Sequence, residues 1–277
     1  MGALVVHHQS DFGRRRTAFI EYGLDEPSPV LRGAGNTDGF GYHGRKGSTG
    51  NIFPGGRAWF NSDDGYDFIN SDEVCRIENC WAFYNGFSTD FKSLGDGNGF
   101  KAAGEAGRSV AQLPNPLPRQ VVIRSVAVRN KVNGFYANHH PGGIEWRNNT
   151  AYKNATNFNL RGRDPKDNKT IIPGRGHRLK NNLGFAGGAK VAEVAELDVA
   201  ACDVSVNYFS LPVTVGSADF LGLDEADLVK PRKANGDLPD VTFLHLALGS
   251  DLIAAGVDVG LPFKGKATDL GAFASAK

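Results

Sequence analysis

One loose repeat restricts the possible folds of this chain more than any other feature. Arg57-Ala58-Trp59-Phe60-Asn61 is echoed by Trp81-Ala82-Phe83-Tyr84-Asn85, Val126-Ala127-Val128-Arg129-Asn130 and Thr150-Ala151-Tyr152-Lys153-Asn154, each reading Ala-x-x-Asn. A second element, polar-Gly-aromatic, recurs as Asp38-Gly39-Phe40, Asp64-Gly65-Tyr66, Asn98-Gly99-Phe100 and Asn133-Gly134-Phe135. The four alanines are 24, 45 and 24 residues apart, which suits a stack of coils interrupted by one long insertion. Gly-rich 86–99 and Pro-rich 111–118 are where that insertion would sit. Each unit reads as two short strands joined by a turn, with no amphipathic helix, so the expected fold is all-β: a right-handed parallel β-helix. Stacked Asn side chains would bond along the turns, and stacked aromatics would fill the interior. An ordinary β-sandwich is the alternative. The expected organisation is one solenoid domain over 1–277, with further coils expected ahead of it. Residues 195–277 would supply closing coils and a loop and short-helix extension, with a capped helix at Asp224-Glu225-Ala226-Asp227-Leu228 and a last strand near Asp269–Phe273.

Composition agrees with strands and tight turns, since 36 residues are glycine and one is methionine. Lys plus Arg at 31 against Asp plus Glu at 30 leaves a net charge of +1, so no bulk bias toward nucleic acid exists. No apolar run reaches the roughly 20 residues that span a bilayer, and a monomer acting without membrane or nucleic acid is expected. Cys75, Cys80 and Cys202 match neither a disulfide framework nor a zinc spacing. Cys75 and Cys80 read as buried small residues or one weak bridge. The N-terminal stretch MGALVVHHQSDF carries no recognisable leader.

Aligning the repeats converts sequence spacing into adjacency, because equivalent positions in successive coils lie about 4.8 Å apart. Asp38 then stacks beneath Asp64, and the position after the aromatic is Gly41, then Asp67, then Lys101. Four carboxylates, Asp38, Asp63, Asp64 and Asp67, are expected to converge on one edge, where they would repel one another without a cation. Calcium suits this all-oxygen set, whereas zinc would call for His or Cys. Lys101 beside the ion, partly buried, would have its pKa lowered toward that of a usable base. Calcium with a lysine base fits β-elimination on a uronic-acid polysaccharide, the ion neutralising the sugar carboxylate and the lysine removing the C5 proton. His43, Arg45, Lys46, His139 and His140 follow the Gly-aromatic elements and are the expected contacts to an anionic polymer. Trp59 and Trp81 are expected inside the coil rather than stacked on sugar. A hydrolase is the competing reading of Asn36-Thr37-Asp38 and Asp63-Asp64, which resemble polygalacturonase elements. That family's Gly-His-Gly and Arg-Ile-Lys elements are missing here, and the coil carrying Lys101 favours a lyase.

The stretches NTDGF at 36–40, GNIFPGGRAWFNSDDGYDF at 50–68, IENCWAFYNG at 77–86 and DGNGFK at 96–101 resemble polysaccharide lyase family nine, the pectate lyase type. The resemblance implies a parallel β-helix, calcium held by Asp38, Asp63, Asp64 and Asp67, and Lys101 as base. It also implies a further calcium contact from the main-chain carbonyl of Phe68. The substrate it implies is polygalacturonate, with rhamnogalacturonan as the competitor, and a polymer of that size implies secretion or a periplasmic location. A noncatalytic β-helix binding carbohydrate through the same acidic edge is the alternative from another class.

Overall fold

The computed structural model describes residues 6–9, 17–23, 37–185 and 193–275; Asn36, which opens the NTDGF element, lies outside the described residues. Among the described residues the chain winds into a solenoid of three parallel sheets, and the helical elements there are short 3-10 turns. The first sheet stacks Asn51–Pro54, Cys75–Glu78, Val121–Ile123, Glu145–Arg147, Arg178–Lys180 and Asp203–Ser205. The second stacks Arg57–Trp59, Trp81–Phe83, Val126–Val128, Thr150–Tyr152 and Leu183–Phe185. The third stacks Phe40–Gly41, Tyr66–Asp67, Phe100–Lys101, Asn133–Tyr136, Thr156–Asn159 and Val194–Ala195. At the N-terminal end Thr17–Gly23 pairs with both of the first two sheets, and Val6–Gln9 lies antiparallel to it.

Both repeat elements fall into the register expected of them. Ala58, Ala82, Ala127 and Ala151 are consecutive partners in the second sheet and are fully buried. Phe40, Tyr66, Phe100, Phe135 and Phe158 form one inward row in the third sheet, with ring centroids 4.7, 4.7, 5.1 and 5.0 Å apart and planes within 15°. This spacing is that of the strands themselves, so the backbone stack dictates the aromatic stack. The unit nevertheless has three strands, not the expected two. The missed set shares no residue type across NIFP, CRIE, VVI, EWR and RLK. What its strands share is a buried apolar position, Ile77, Val122, Trp146 and Leu179 in register.

Two corners of the coil are each turned by one left-handed residue. Asn79, Arg124, Asn148, Asn181 and Val206 have φ between 47° and 58° where the first sheet passes to the second. Phe60, Tyr84, Arg129 and Lys153 have φ between 48° and 59° where the second sheet ends. For non-glycine residues this conformation costs roughly 1–2 kcal/mol apiece, and the residue that follows each one offsets the cost. Asn61, Asn85, Asn130 and Asn154 form a ladder in which each buried side-chain oxygen from Asn85 onward accepts from the amide of the asparagine below. The same oxygens also take the main-chain N–H of Asn61, Asn85 and Asn130. A second ladder runs through Ser125, Asn149, Asn182 and Asn207 at the other corner. The 45-residue spacing is also explained: two insertions, 86–98 after the second sheet and 102–120 after the third, enlarge the same coil.

From residue 207 onward the chain stops coiling and runs along the outside of the second sheet. Phe220 packs on Phe185, and Glu225 accepts from Tyr84 Oη at 2.8 Å while pairing with Arg129 and Lys153. The carbonyls of Leu228 and Lys230 accept from Arg57 at 2.9 and 2.8 Å. The chain then returns: Phe243 packs edge-on to Tyr152, Val257 and Gly271 donate main-chain N–H bonds to Asn181, and the Asn148 amide donates to the Asp269 and Gly271 carbonyls near the last coils. The 3-10 turn Glu225–Val229 is capped by Asp224, as expected. The last strand expected near Asp269–Phe273 is absent; that stretch is a series of bends bonded to Leu252, Asn148 and Asn181. Trp59 and Trp81 are likewise not in the coil interior, which the alanines occupy. Trp59 stacks on Phe83, and Trp81 packs beneath Phe273 of the returning segment. Cys75 and Cys80 are buried free thiols.

Candidate active site

Side chains alternate along a strand, so the inward aromatic row of the third sheet fixes an outward row one residue later. That row is Gly41, Asp67, Lys101, Tyr136 and Asn159, each paired in register with the next. Lys101 Nζ lies 3.1 Å from Asp67 Oδ2 and 3.0 Å from Asp64 Oδ2. The adjacency of Asp67 and Lys101 follows from the repeat. Asp64, three residues earlier in the same coil, reaches Lys101 from the preceding turn.

Asp38, Asp64 and Asp67 each bring a carboxylate oxygen to within 4.8 Å of the others. The turns that precede the strands hold them in place. Asp38 Oδ1 accepts from the main-chain N–H of Asp64 at 3.0 Å, and Asp64 Oδ1 accepts from both the main chain and the amide of Asn98 at 2.7 Å. Asp63 is placed differently from the expected foursome. It is buried, and its Oδ1 accepts from Asp96 N at 2.9 Å, so it anchors the start of the next coil's turn beside the group of three. Its charge is nevertheless felt at both Asp38 and Asp64.

Burial dominates the electrostatics. It pushes Asp38, Asp64 and Asp67 each up to about 6, with the neighbouring carboxylates adding to the effect and the Lys101 charge opposing it. At Lys101, burial alone would lower the pKa, but Asp64 and Asp67 outweigh it and hold the ammonium above its ordinary value. The expected depression of Lys101 therefore requires those two carboxylates to be neutralised by something else. A hard cation suits the group: three carboxylates converge, and Asp67 Oδ1 is buried with no hydrogen-bond partner among the described residues. Phe68, the expected main-chain donor, follows with its ring buried in the core.

The expected polymer contacts separate. His43 is exposed, donates through Nδ1 to the Ile69 carbonyl at 2.8 Å and lies close enough to Asp67 for its charge to be felt there. Arg45 and Lys46 are exposed on the turn beyond it. His139 is half-buried beside Tyr136. His140 is a correction: it is 1 % exposed and packs near His177 and Arg119, so it presents no face to a polymer. Burial pushes His140 down to about 3 and His177 to about 4, so both stay neutral structural groups. Tyr136 was missed, although it follows Phe135 just as Lys101 follows Phe100, and the same column rule carried one coil further reaches it.

The family described as Pel9A-like, right handed beta helix region matches residues 19–182. The chain belongs to this Pel9A-like family. Residues 198–275, the last first-sheet strand and the segment that runs along the second sheet, match the C-terminal part of rhamnogalacturonan lyase-like proteins. Pectate lyase L of Dickeya chrysanthemi is 34% identical over 239 residues, covering 85% of this chain and 50% of its own length. Pectate lyase L of Paenibacillus polymyxa is 30% identical, covering 81% and 47%. Among solved structures, a rhamnogalacturonan lyase superposes with a TM-score of 0.72 at 41% identity, covering 77% of this chain and 52% of that one. The crystal structure of pectate lyase Pel9A gives 0.71 at 33%, covering 88% and 56%. The chain thus spans about half the length of the Pel9A-like relatives it matches.

Proposed function

We propose that this chain is a calcium-dependent polysaccharide lyase that cleaves polygalacturonate by β-elimination. One observation carries the reading: Lys101 stands in the outward row of the third sheet, its Nζ within 3.1 Å of two buried carboxylates of a converging group of three. Asp38, Asp64 and Asp67 would hold the ion, with Asp63 beside them and the Phe68 carbonyl as a further donor. Calcium, when bound, supplies the positive charge that joins a substrate carboxylate to this group and acidifies the C5 proton next to it. Neutralising Asp64 and Asp67 removes the charge that holds Lys101 protonated, and burial then favours the free amine. Lys101 takes the C5 proton, the C4–C5 double bond forms, and the C4–O bond breaks. His43, Arg45 and Lys46 lie at one end of the row and His139 at the other, where they would meet an anionic chain. A polymeric substrate implies action outside the cytoplasm.

Rhamnogalacturonan is the second reading, favoured by the 41% identity to a rhamnogalacturonan lyase and by the match of residues 198–275. The deciding assay follows the ultraviolet absorbance of unsaturated product on each polymer. Product formation that stops with EDTA and returns with calcium is expected; polymer binding without product would instead mean a noncatalytic protein. The calcium response should also depend on pH. A carboxyl raised by folding binds its proton more tightly in the folded state, so it favours folding at low pH, and this contribution is lost as pH rises through about 6. Ion binding needs the ionised forms. The rise in melting temperature on adding calcium should therefore be full at pH 8 and largely gone by pH 5; an equal rise at both would count against these three ligands.

A further inference from the structure

β-Elimination has two proton tasks: one is taken from C5 and one must be given to the departing oxygen on C4. On the reading above, Lys101 performs the first. The structure offers a group for the second. Tyr136 is the register partner of Lys101 in the next coil, on the same outward face and one strand spacing, about 4.8 Å, away. The adjoining Phe135 points into the aromatic core, so the strand's alternation sets the direction of Tyr136. The tyrosine is half-buried, and its hydroxyl lies 3.3 Å from Nδ1 of His139, with the two rings edge-on at 5.8 Å. His139 is held in the left-handed region at φ 60°, which folds it back over the tyrosine three residues before it. Lys101 and Arg161 place positive charge near the phenol, and Asp64 and Asp96 place negative charge there.

We propose that Tyr136 is the proton donor to the leaving oxygen, with His139 as its positioning residue. This rests on the lyase reading with Lys101 as base. As Lys101 Nζ takes the C5 proton, the C–H electron pair becomes the C4–C5 double bond. The C4–O4 bond then breaks with its electrons on O4, and O4 takes the proton from Tyr136 Oη. His139, protonated on Nδ1, donates to the phenolate oxygen, and Arg161 offsets its charge. Lys101 then releases its proton to solvent and the phenolate takes one back, so the cycle closes without another reactant. A phenol suits the task because it is fully protonated at neutral pH. Burial acts further in that direction here.

The test uses Tyr136→Phe in the full chain, with circular dichroism melts to check the fold, since the ring is retained. On polygalacturonate kcat should fall about 100-fold or more with KM changed less than about threefold, the usual scale for one proton-transfer group. The discriminating substrate is a galacturonide carrying 4-nitrophenol at O4, a leaving group that departs as a stable anion. There the defect should shrink to below about fivefold, because protonation is no longer needed. Lys101→Ala should fail on both substrates. Equal losses for Tyr136→Phe on both substrates, or a kcat within about threefold of wild type on the polymer, would overturn the donor role. Full activity of Lys101→Ala on both would instead sink the base assignment, and absence of product from the wild-type chain on either polymer would sink both.

Discussion

Replacing Lys101 by alanine is expected to lower kcat on polygalacturonate by about 1000-fold, within the range for removing a general base. Lys101 Nζ is the cationic group that contacts two members of the carboxylate group directly, and its side chain is only 16% exposed. Alanine removes the amine without removing a carboxylate. Calcium should therefore still raise the melting temperature of the variant, which separates loss of the base from loss of the ion site. The measurement is initial rate of unsaturated product in saturating calcium, alongside a thermal melt. Lys101→Ala retaining more than about a tenth of wild-type kcat would exclude Lys101 as the base.

The largest stability effect should come from a residue far from any chemistry. Asn130 is 2% exposed and sits in the middle of the corner ladder. Its Oδ1 accepts from the main-chain N–H of Asn85 at 3.2 Å and from the Asn85 amide at 2.8 Å. Its own amide donates to the Ala82 carbonyl and to Asn154 Oδ1, both at 2.9 Å. Asn130→Ala leaves the main-chain N–H and side-chain amide of Asn85 without this acceptor and takes one donor from the Ala82 carbonyl. At 1–3 kcal/mol per unsatisfied group, the expected loss is about 3–5 kcal/mol, read from urea unfolding. A loss below about 1 kcal/mol would mean that water or a shifted neighbour replaces the ladder.

These two residues also mark what a reader of the sequence can and cannot see. Asn130 and Lys101 were legible because a solenoid makes equivalent positions neighbours, so Ala127 under Ala82 and Lys101 beside Asp67 follow from spacing alone. The first sheet was not legible, because its strands need only one apolar residue facing inward, and Ile77, Val122, Trp146 and Leu179 satisfy that with no common identity. Asp63 and Asp64 look equivalent in sequence, yet the turn sends one to Asp96 and the other to Lys101. His140 looked like a surface residue beside His139, and its burial depends on the packing of a distant stretch around His177. The path of residues 207–275 was invisible for the same reason: its contacts carry no period.

That path changes how the molecule should come apart. In a plain stack each coil meets only the ones above and below, so loss of order can start at an end and travel coil by coil. Here the C-terminal stretch ties Phe185 near the last coil to Arg57 near the first and then doubles back to Asn148 and Asn181. Any coil that opens must release contacts made by chain anchored several coils away. A fold built by repetition along one axis is thereby fastened across its length, and fraying at either end is coupled to the whole.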